Sequence, residues 1–226
     1  MEQRDILSIG EARPFRLTSD AIARCLAQGY DARGRSDMAL EAMVSGGAVR
    51  PGDPVEGEAE LMTAAVLVPL VNRPDGLTVM LTKRTAHLAH HPGQISFPGG
   101  RLEAGDNGDL VTCALRETAE EVGLEPARVH VLGRLDDYIT GTGFIVTPVV
   151  GLIEPPFQLA PDSFEVAEVF EVPLAFVLDQ TNHSLQQREV RGRQRPFWAL
   201  TWNDRLIWGA TAGILVNLSE VLTDRG

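Results

Sequence analysis

A chain of 226 residues that is 44% apolar and 23% charged has the make-up of a soluble globular protein, long enough for one domain with an extension or two small domains. A net charge of −11 argues against broad nucleic-acid binding, although a local basic pocket can still receive a small anion. The chain has no Cys-x-x-Cys pair, its longest apolar stretch ("AAVLVPLV" from Ala64) is strand-sized, and "MEQRDILSIGEARPFRL" lacks a secretory apolar run, which together disfavour disulfide scaffolds, membrane spans and export and predict a cytoplasmic protein.

Residues 1–55 read as a helical extension with a linker, and residues 56–226 as one domain. In the extension, Ser19 or Asp20 can cap a short helix over "AIARCLAQGY", and "DMALEAMVSG" predicts another that Gly46 and Gly47 stop. "RPGDPVEGEAE" is a Pro/Gly/acid linker. Next come two strands, "MTAAVLVPLVN" and "LTVMLTKR", separated by the turn "RPDG", and then the punctuated loop "HHPGQISFPGGRLEAGDNGD". A helix over "LVTCALRETAEEV" ends at Gly123, with Pro126 barring continuation and Val111, Leu115, Thr118 and Val122 as its buried stripe. "RVHVLGRL", "FIVTPVVGLI" and "VAEVFEV" are strands, the last turning into a short helix at "PLAFVL". "QREVRGRQR", "PFWALTW" and "RLIWG" predict three more, the last two joined at Asn203-Asp204, and "ATAGILVNLSEVLTD" closes as an amphipathic helix. This order predicts an α/β layered domain with helices on both faces and without a regular βαβ rhythm.

The acidic helix poses the chemical question. Glu117, Glu120 and Glu121 share one helical face, inside an arc of about 100°. Like charges at these spacings cost about 0.2–0.5 kcal/mol per pair, and the negative end of the helix dipole adds to the burden. A solvated acidic face is one reading. The other is a site for a divalent cation, since three carboxylates are oxygen ligands suited to Mg²⁺ or Mn²⁺. The upstream "FPGGRLEAG" can bring backbone close to a metal or a phosphate, with Gly99 and Gly100 permitting the tight turns. Arg116 is placed to hold a carboxylate through paired hydrogen bonds.

"GRLEAGDNGDLVTCALRETAEEVGL" strongly resembles the Nudix box. Its segment "RETAEEVGL" matches at every position except the aliphatic one, where Thr118 supplies a methyl group instead. Gly100 plus five residues reaches Asp106 rather than glutamate, and nine residues then precede Arg116, a longer loop than the general pattern. "LTKRTAHLAHHPGQISFPGG" resembles the signature that precedes the box in the coenzyme A pyrophosphatase branch, which often has an arginine where this chain has Ala89. "VFEVPLAFVL" and "IWGATAGILVNL" also look like that branch.

The resemblance implies a Nudix-type α/β/α sandwich with a mixed sheet that hydrolyses a P–O–P linkage with Mg²⁺ or Mn²⁺. It implies Glu120 and Glu121 as principal metal ligands, Glu117 as a ligand or the base, and the Gly99 carbonyl as a further oxygen. Arg116 would orient Glu117, and a further acid from a distant loop would be Glu165, with Glu168 the next candidate and more simply an exposed acid beside a strand. On the substrate side it implies His91 and Gln94, with Gly99 and Gly100 close to the diphosphate; Arg84 reads either as a partner for a phosphate or as a solvated arginine at a strand end. The expected substrate is coenzyme A or an acyl derivative. Another nucleoside diphosphate derivative, such as ADP-ribose, NADH or a damaged nucleotide, is the alternative, and a non-catalytic Nudix-fold binding module lies further off. The partner is thus a small molecule, with no nucleic acid and no membrane, and a homodimer is compatible because dimers are common in the family.

Other features have plainer readings. His87, His90 and His91 invite zinc, but no fourth ligand stands at a standard spacing, which favours surface or substrate-loop histidines. Arg188, Arg191, Arg193 and Arg195 read as solvated charge. Phe144 reads as a core aromatic opening a strand, and Trp198, Trp202 and Trp208 as core or interface residues.

Overall fold

The computed structural model describes residues 17–28, 35–44, 61–88, 91–190 and 192–223. The expected boundary at residue 55, the linker, Gly46, Gly47, Ala89, His90 and Arg191 lie outside the described residues. In chain order the elements are α1 (Ser19–Ala27), β1 (Arg35–Ser36), α2 (Asp37–Val44), β2 (Met62–Arg73), β3 (Gly76–Arg84), β4 (Ile95–Ser96) and β5 (Gly99–Arg101). There follow α3 (Leu110–Val122), β6 (Val129–Arg134), β7 (Tyr138–Ile139), β8 (Phe144–Ile153), β9 (Val166–Pro173) and α4 (Leu174–Leu178). The chain closes with β10 (Ser184–Val190), β11 (Arg193–Trp202), β12 (Arg205–Trp208) and α5 (Ala210–Thr223).

The run in β2 is apolar on both sides because both faces of the strand are covered. Ala65, Leu67 and Val71 pack in the core beneath α3, whereas Val68 and Leu70 pack in the core beneath α5. β8 runs parallel to β2 on one side, and β5 and then β3 run antiparallel on the other. Pro69, which has no N–H to give, falls where β2 changes partner from β5 to β3. The mixed sheet has the order β1-β7-β8-β2-β3-β4, with β5 added on β2, β6 on β8 and β9 on β3. α3 covers one face, while α1, α4, α5 and the small antiparallel sheet β10-β11-β12 cover the other. This is the expected α/β/α sandwich with a mixed sheet.

Several details differ from the expectations. Thr18, not Ser19 or Asp20, caps α1, its hydroxyl accepting from the Ala21 N–H at 3.2 Å. "QREVRGRQR" is not one strand but a hairpin that turns at Gly192, where φ is +74° and a side chain would be strained. The sequence does not mark this turn, because Arg-Gly-Arg carries no Asn or Asp. β1 has no signature in the sequence, because two residues carry no periodicity. α5 is not amphipathic in effect: Thr211 through Ser219, Val221 and Leu222 are all buried, since α1, α4, β11 and β12 surround it. On α3, Thr118 and Val122 are buried as expected, Val111 and Leu115 only half so, and the remaining buried positions are Cys113, Ala114 and Glu121.

The described part of the N-terminal extension packs on the domain. Ile22, Cys25 and Leu26 of α1 enter the core, and β1 pairs in parallel with β7. Arg35 bonds Asp136 at 3.3 Å and pairs with Glu220, and Asp37 accepts from the Tyr138 hydroxyl at 2.6 Å and the Gly141 N–H at 2.7 Å.

Candidate active site

α3 carries the acids and is fixed at both ends. Asp109 caps it, accepting from the Val111 N–H at 3.0 Å, and Gly123 ends it with φ +70°. The loop that follows β8 is strapped to its C-terminal end: Ala160 N–H donates to the Val122 carbonyl and Asp162 N–H to that of Glu121, each at 2.9 Å. The same loop is tied to the end of β3, where Thr85 N–H donates to the Glu165 carbonyl at 2.9 Å and the Thr85 hydroxyl to that of Phe164 at 2.8 Å. Glu165 therefore lies between the end of β3 and the end of α3.

The three glutamates occupy different environments on one face. Glu121 is buried, with its side chain 8% exposed, and accepts from the Gly99 N–H at 3.3 Å. Its other oxygen lies 3.8 Å from Arg84. Burial pushes this carboxyl up to about 7; the charges of Glu165 and Glu117 push the same way, and the Gly99 N–H and Arg84 oppose them. Glu117 is half-buried against Gly100, and its pKa too is raised by burial, against the pull of Arg116. Glu120 is open to solvent, with its side chain 61% exposed.

The two glycines are dictated by this packing. At Gly99 φ is +153°, and a Cβ would strike the Ala65 carbonyl; at Gly100 a Cβ would overlap the Glu117 carboxyl. β5 thus runs with bare backbone against the acids.

Arg116 ties the cluster together. Its Nε and Nη2 grip Asp106 at 2.8 and 3.0 Å, its Nη1 reaches Glu117 at 3.0 Å and Glu120 at 3.2 Å, and Nη2 also donates to the Arg101 carbonyl at 3.1 Å. Asp106 is buried and also accepts from the Glu103 N–H at 2.8 Å; the Arg116 hydrogen bonds hold its carboxyl down at about 2. Asp106 is thus the anchor of Arg116, a role its spacing from Gly100 did not reveal because the loop geometry sets it. Cys113 also braces the loop. Its thiol, raised to about 11 chiefly by burial, donates to the carbonyls of Arg101 at 3.3 Å and Gly100 at 3.7 Å.

The structure therefore brings Glu117, Glu120, Glu121, Glu165, Arg84, Arg116, Gly99 and Gly100 together. It does not bring His91 and Gln94 onto the acids by any side-chain hydrogen bond or ion pair among the described residues. Their loop is joined through backbone, Arg84 N–H donating to the Gln94 carbonyl at 2.9 Å and Gln94 N–H to that of His91 at 3.3 Å. Glu168 pairs with Arg205 at 2.5 Å on the far side of the sheet. Phe144 opens β8 half-buried beneath the Arg101 guanidinium. Trp198 and Trp202 pack on the core; Trp208 lies half-buried under Arg188, and Arg195 is 3.9 Å from Glu41.

Among the described residues no three His, Cys, Asp or Glu side chains converge on one point. Each glutamate is instead turned to a local partner, Glu117 and Glu120 to Arg116 and Glu121 to Gly99 and Arg84. The donor set still fits a hard divalent cation: carboxylate oxygens on one helix face, one of them with its charge opposed by burial and by like charges. Among the described residues no helix is long and apolar enough to cross a membrane.

A family profile described as the NUDIX domain matches residues 61–193. The chain is 42% identical over 156 residues to an uncharacterized Nudix hydrolase NudL of Enterobacter sp. (strain 638), covering 69% of this chain and 80% of that protein. It is 44% identical over 157 residues to the uncharacterized Nudix hydrolase NudL of Cronobacter sakazakii, with the same coverages, 69% and 80%. A solved Nudix hydrolase from M. smegmatis, RenU, shares 23% identity at a TM-score of 0.45, covering 54% of this chain and 84% of that one. Nudix hydrolases act on phosphorus-containing anhydrides and generally need divalent metal ions. On the profile match and the sequence identities, the chain belongs to the Nudix hydrolase family.

Proposed function

We propose that this protein is a cytoplasmic pyrophosphohydrolase that cleaves the diphosphate of coenzyme A or an acyl-coenzyme A, giving 3′,5′-ADP and 4′-phosphopantetheine or its acylated form. The observation that carries the metal-dependent part is the buried Glu121 facing Gly99 with Glu117, Glu120 and Glu165 nearby. The coenzyme A part is supported by the stretch from Leu81 to Gly100, whose resemblance to that branch precedes the box. The catalytic domain is taken as residues 56–226, a span that contains the family match at residues 61–193.

Glu117, Glu120 and Glu121, with the Gly99 carbonyl, would hold Mg²⁺ or Mn²⁺. Such an ion neutralises the diphosphate and lowers the pKa of a water to be deprotonated. The chain's own residues do the rest. Arg116, saturated with acceptors, keeps Glu117 in one orientation as ligand or base. Glu165 supplies a further carboxylate where the β3 end meets the helix. Gly99 and Gly100, whose bare backbone lies against the acids, would stand close to the diphosphate, while Arg84, His91 and Gln94 line the substrate side.

Product analysis after incubation with coenzyme A and Mg²⁺ or Mn²⁺ tests the reading. Release of 3′,5′-ADP is expected. Indifference to coenzyme A with turnover of ADP-ribose or NADH would move the substrate elsewhere in the family, and no turnover of any diphosphate would leave a binding module.

A further inference from the structure

The site holds two arginines in opposite conditions. Arg116 has acceptors for Nε, Nη1 and Nη2 and is locked between Asp106, Glu117, Glu120 and the Arg101 carbonyl. Among the described residues Arg84 makes one weak charged contact, 3.8 Å to Glu121, which is beyond hydrogen-bond reach. Its Nε is buried and has no hydrogen-bond partner among the described residues. A guanidinium in this state is under-used: it is a planar fork of five donors matched to carboxylate or phosphate oxygens.

Its placement is fixed while its head is uncommitted. Arg84 is the last residue of β3, opposite Val166 of β9, and its N–H is held by the Gln94 carbonyl at 2.9 Å. Like Met80 on the same strand, it faces the side of the sheet that α3 covers. The anion nearest to it is Glu121, and a divalent cation would claim that same carboxylate. Two positive charges on Glu121 repel each other, so arrival of the ion would loosen the one side-chain contact that Arg84 makes among the described residues. The next anion due at this place is the diphosphate.

Resting on the metal site proposed above, we propose that Arg84 is an exchangeable counterion: it occupies Glu121 until the metal arrives and then transfers to a phosphate oxygen of the substrate. Arg84 therefore opposes metal binding in the free protein and favours diphosphate binding in the metal-loaded one. Because linkage is reciprocal, it couples the two events so that metal and substrate enter together. A structural counterion that never leaves Glu121 would weaken metal binding without contributing to substrate binding.

The test is calorimetric titration of the intact protein, first with Mn²⁺ alone and then, at saturating Mn²⁺, with the non-hydrolysable α,β-methylene-ADP. Arg84→Met should bind Mn²⁺ more tightly than wild type, roughly fivefold or more, and α,β-methylene-ADP more weakly by a similar factor. Arg84→Lys, which keeps the charge without the fork, should leave Mn²⁺ affinity within about twofold and still weaken α,β-methylene-ADP. If Arg84→Met does not fold, the lysine variant decides alone, and its unchanged affinity for both probes would overturn the exchange. Mn²⁺ binding to wild type with unchanged or weaker binding to Arg84→Met would also overturn it while leaving the metal site intact. Absence of Mn²⁺ binding to wild type would overturn the metal site and the exchange with it.

Discussion

The two faces of the central sheet are covered by helices of opposite character. α5 is almost wholly buried, and its polar side chains have partners. Asn217 exchanges two hydrogen bonds of 3.1 Å with Asp136, the Thr211 hydroxyl donates to the Ile95 carbonyl at 3.0 Å, and Ser219 to that of Leu178 at 3.3 Å. α3 is buried on one side only and carries its debts there: Glu121 sits in a low-dielectric place among other acids, and the nearest arginine is only loosely engaged. The first helix is built as any satisfied core is built. The second keeps an electrostatic conflict, and it is there that the proposed metal site would receive a charge from outside.

The largest test of this contrast is removal of divalent cations. A chelator should abolish turnover of coenzyme A, and adding Mg²⁺ or Mn²⁺ should restore it and raise the unfolding midpoint of the metal-free protein, read by thermal denaturation. Next come the carboxylates. Glu120→Gln and Glu121→Gln should each lower kcat at least about a hundredfold in steady-state assays while the circular dichroism spectrum stays native. For Glu121→Gln the metal-free protein should also become more stable than wild type, since a buried charge among like charges is gone. Activity surviving both substitutions would erase the assignment of ligands.

A smaller effect is expected in the pH dependence of metal-free stability. Glu121, with an ordinary value of 4.5 and a folded value of about 7, binds its proton more tightly in the folded state than in the unfolded one. Stability should therefore fall as pH rises from about 4.5 to about 7, by up to about 3 kcal/mol, and Glu121→Gln should flatten the slope in urea titrations of the chelated protein. Asp106 acts in the other direction and lower down: held at about 2, it adds stability that is lost only as pH falls from 3.8 towards that value. On the opposite face, Asn217→Ala should cost about 1–3 kcal/mol of unfolding free energy through its buried partner Asp136. It should leave kcat within about twofold when the folded fraction is accounted for, because a core defect far from the reacting groups acts on stability.

What could be read in advance followed from local periodicity. Glu117, Glu120 and Glu121 at spacings of three and four, in a helix stopped by Gly123, define α3 and its acidic face without reference to the rest of the chain. The apolar run of β2 likewise announced a strand. The contacts that decide the site were not legible, because they join residues far apart in the chain. Arg84 meets Glu121 only when β3 and α3 are packed, and Asp106 meets Arg116 only when the loop between them closes into its 3-10 turn at Ala104–Asp106. α5 was misjudged for a related reason: its polar residues signalled a solvent face, whereas Asp136, Leu178 and Ile95 lie there to receive them. Side-chain polarity reports a need for hydrogen bonds, not the identity of the partner.

The central claim is that the glutamates of α3 stand together because a dication completes them. Anomalous X-ray diffraction from a crystal soaked in Mn²⁺ tests it most directly. The account expects an anomalous peak within coordination distance of the Glu120 and Glu121 carboxylates and the Gly99 carbonyl, with Arg84 swung off Glu121. A crystal with no peak beside α3, or with manganese bound only elsewhere, would contradict it.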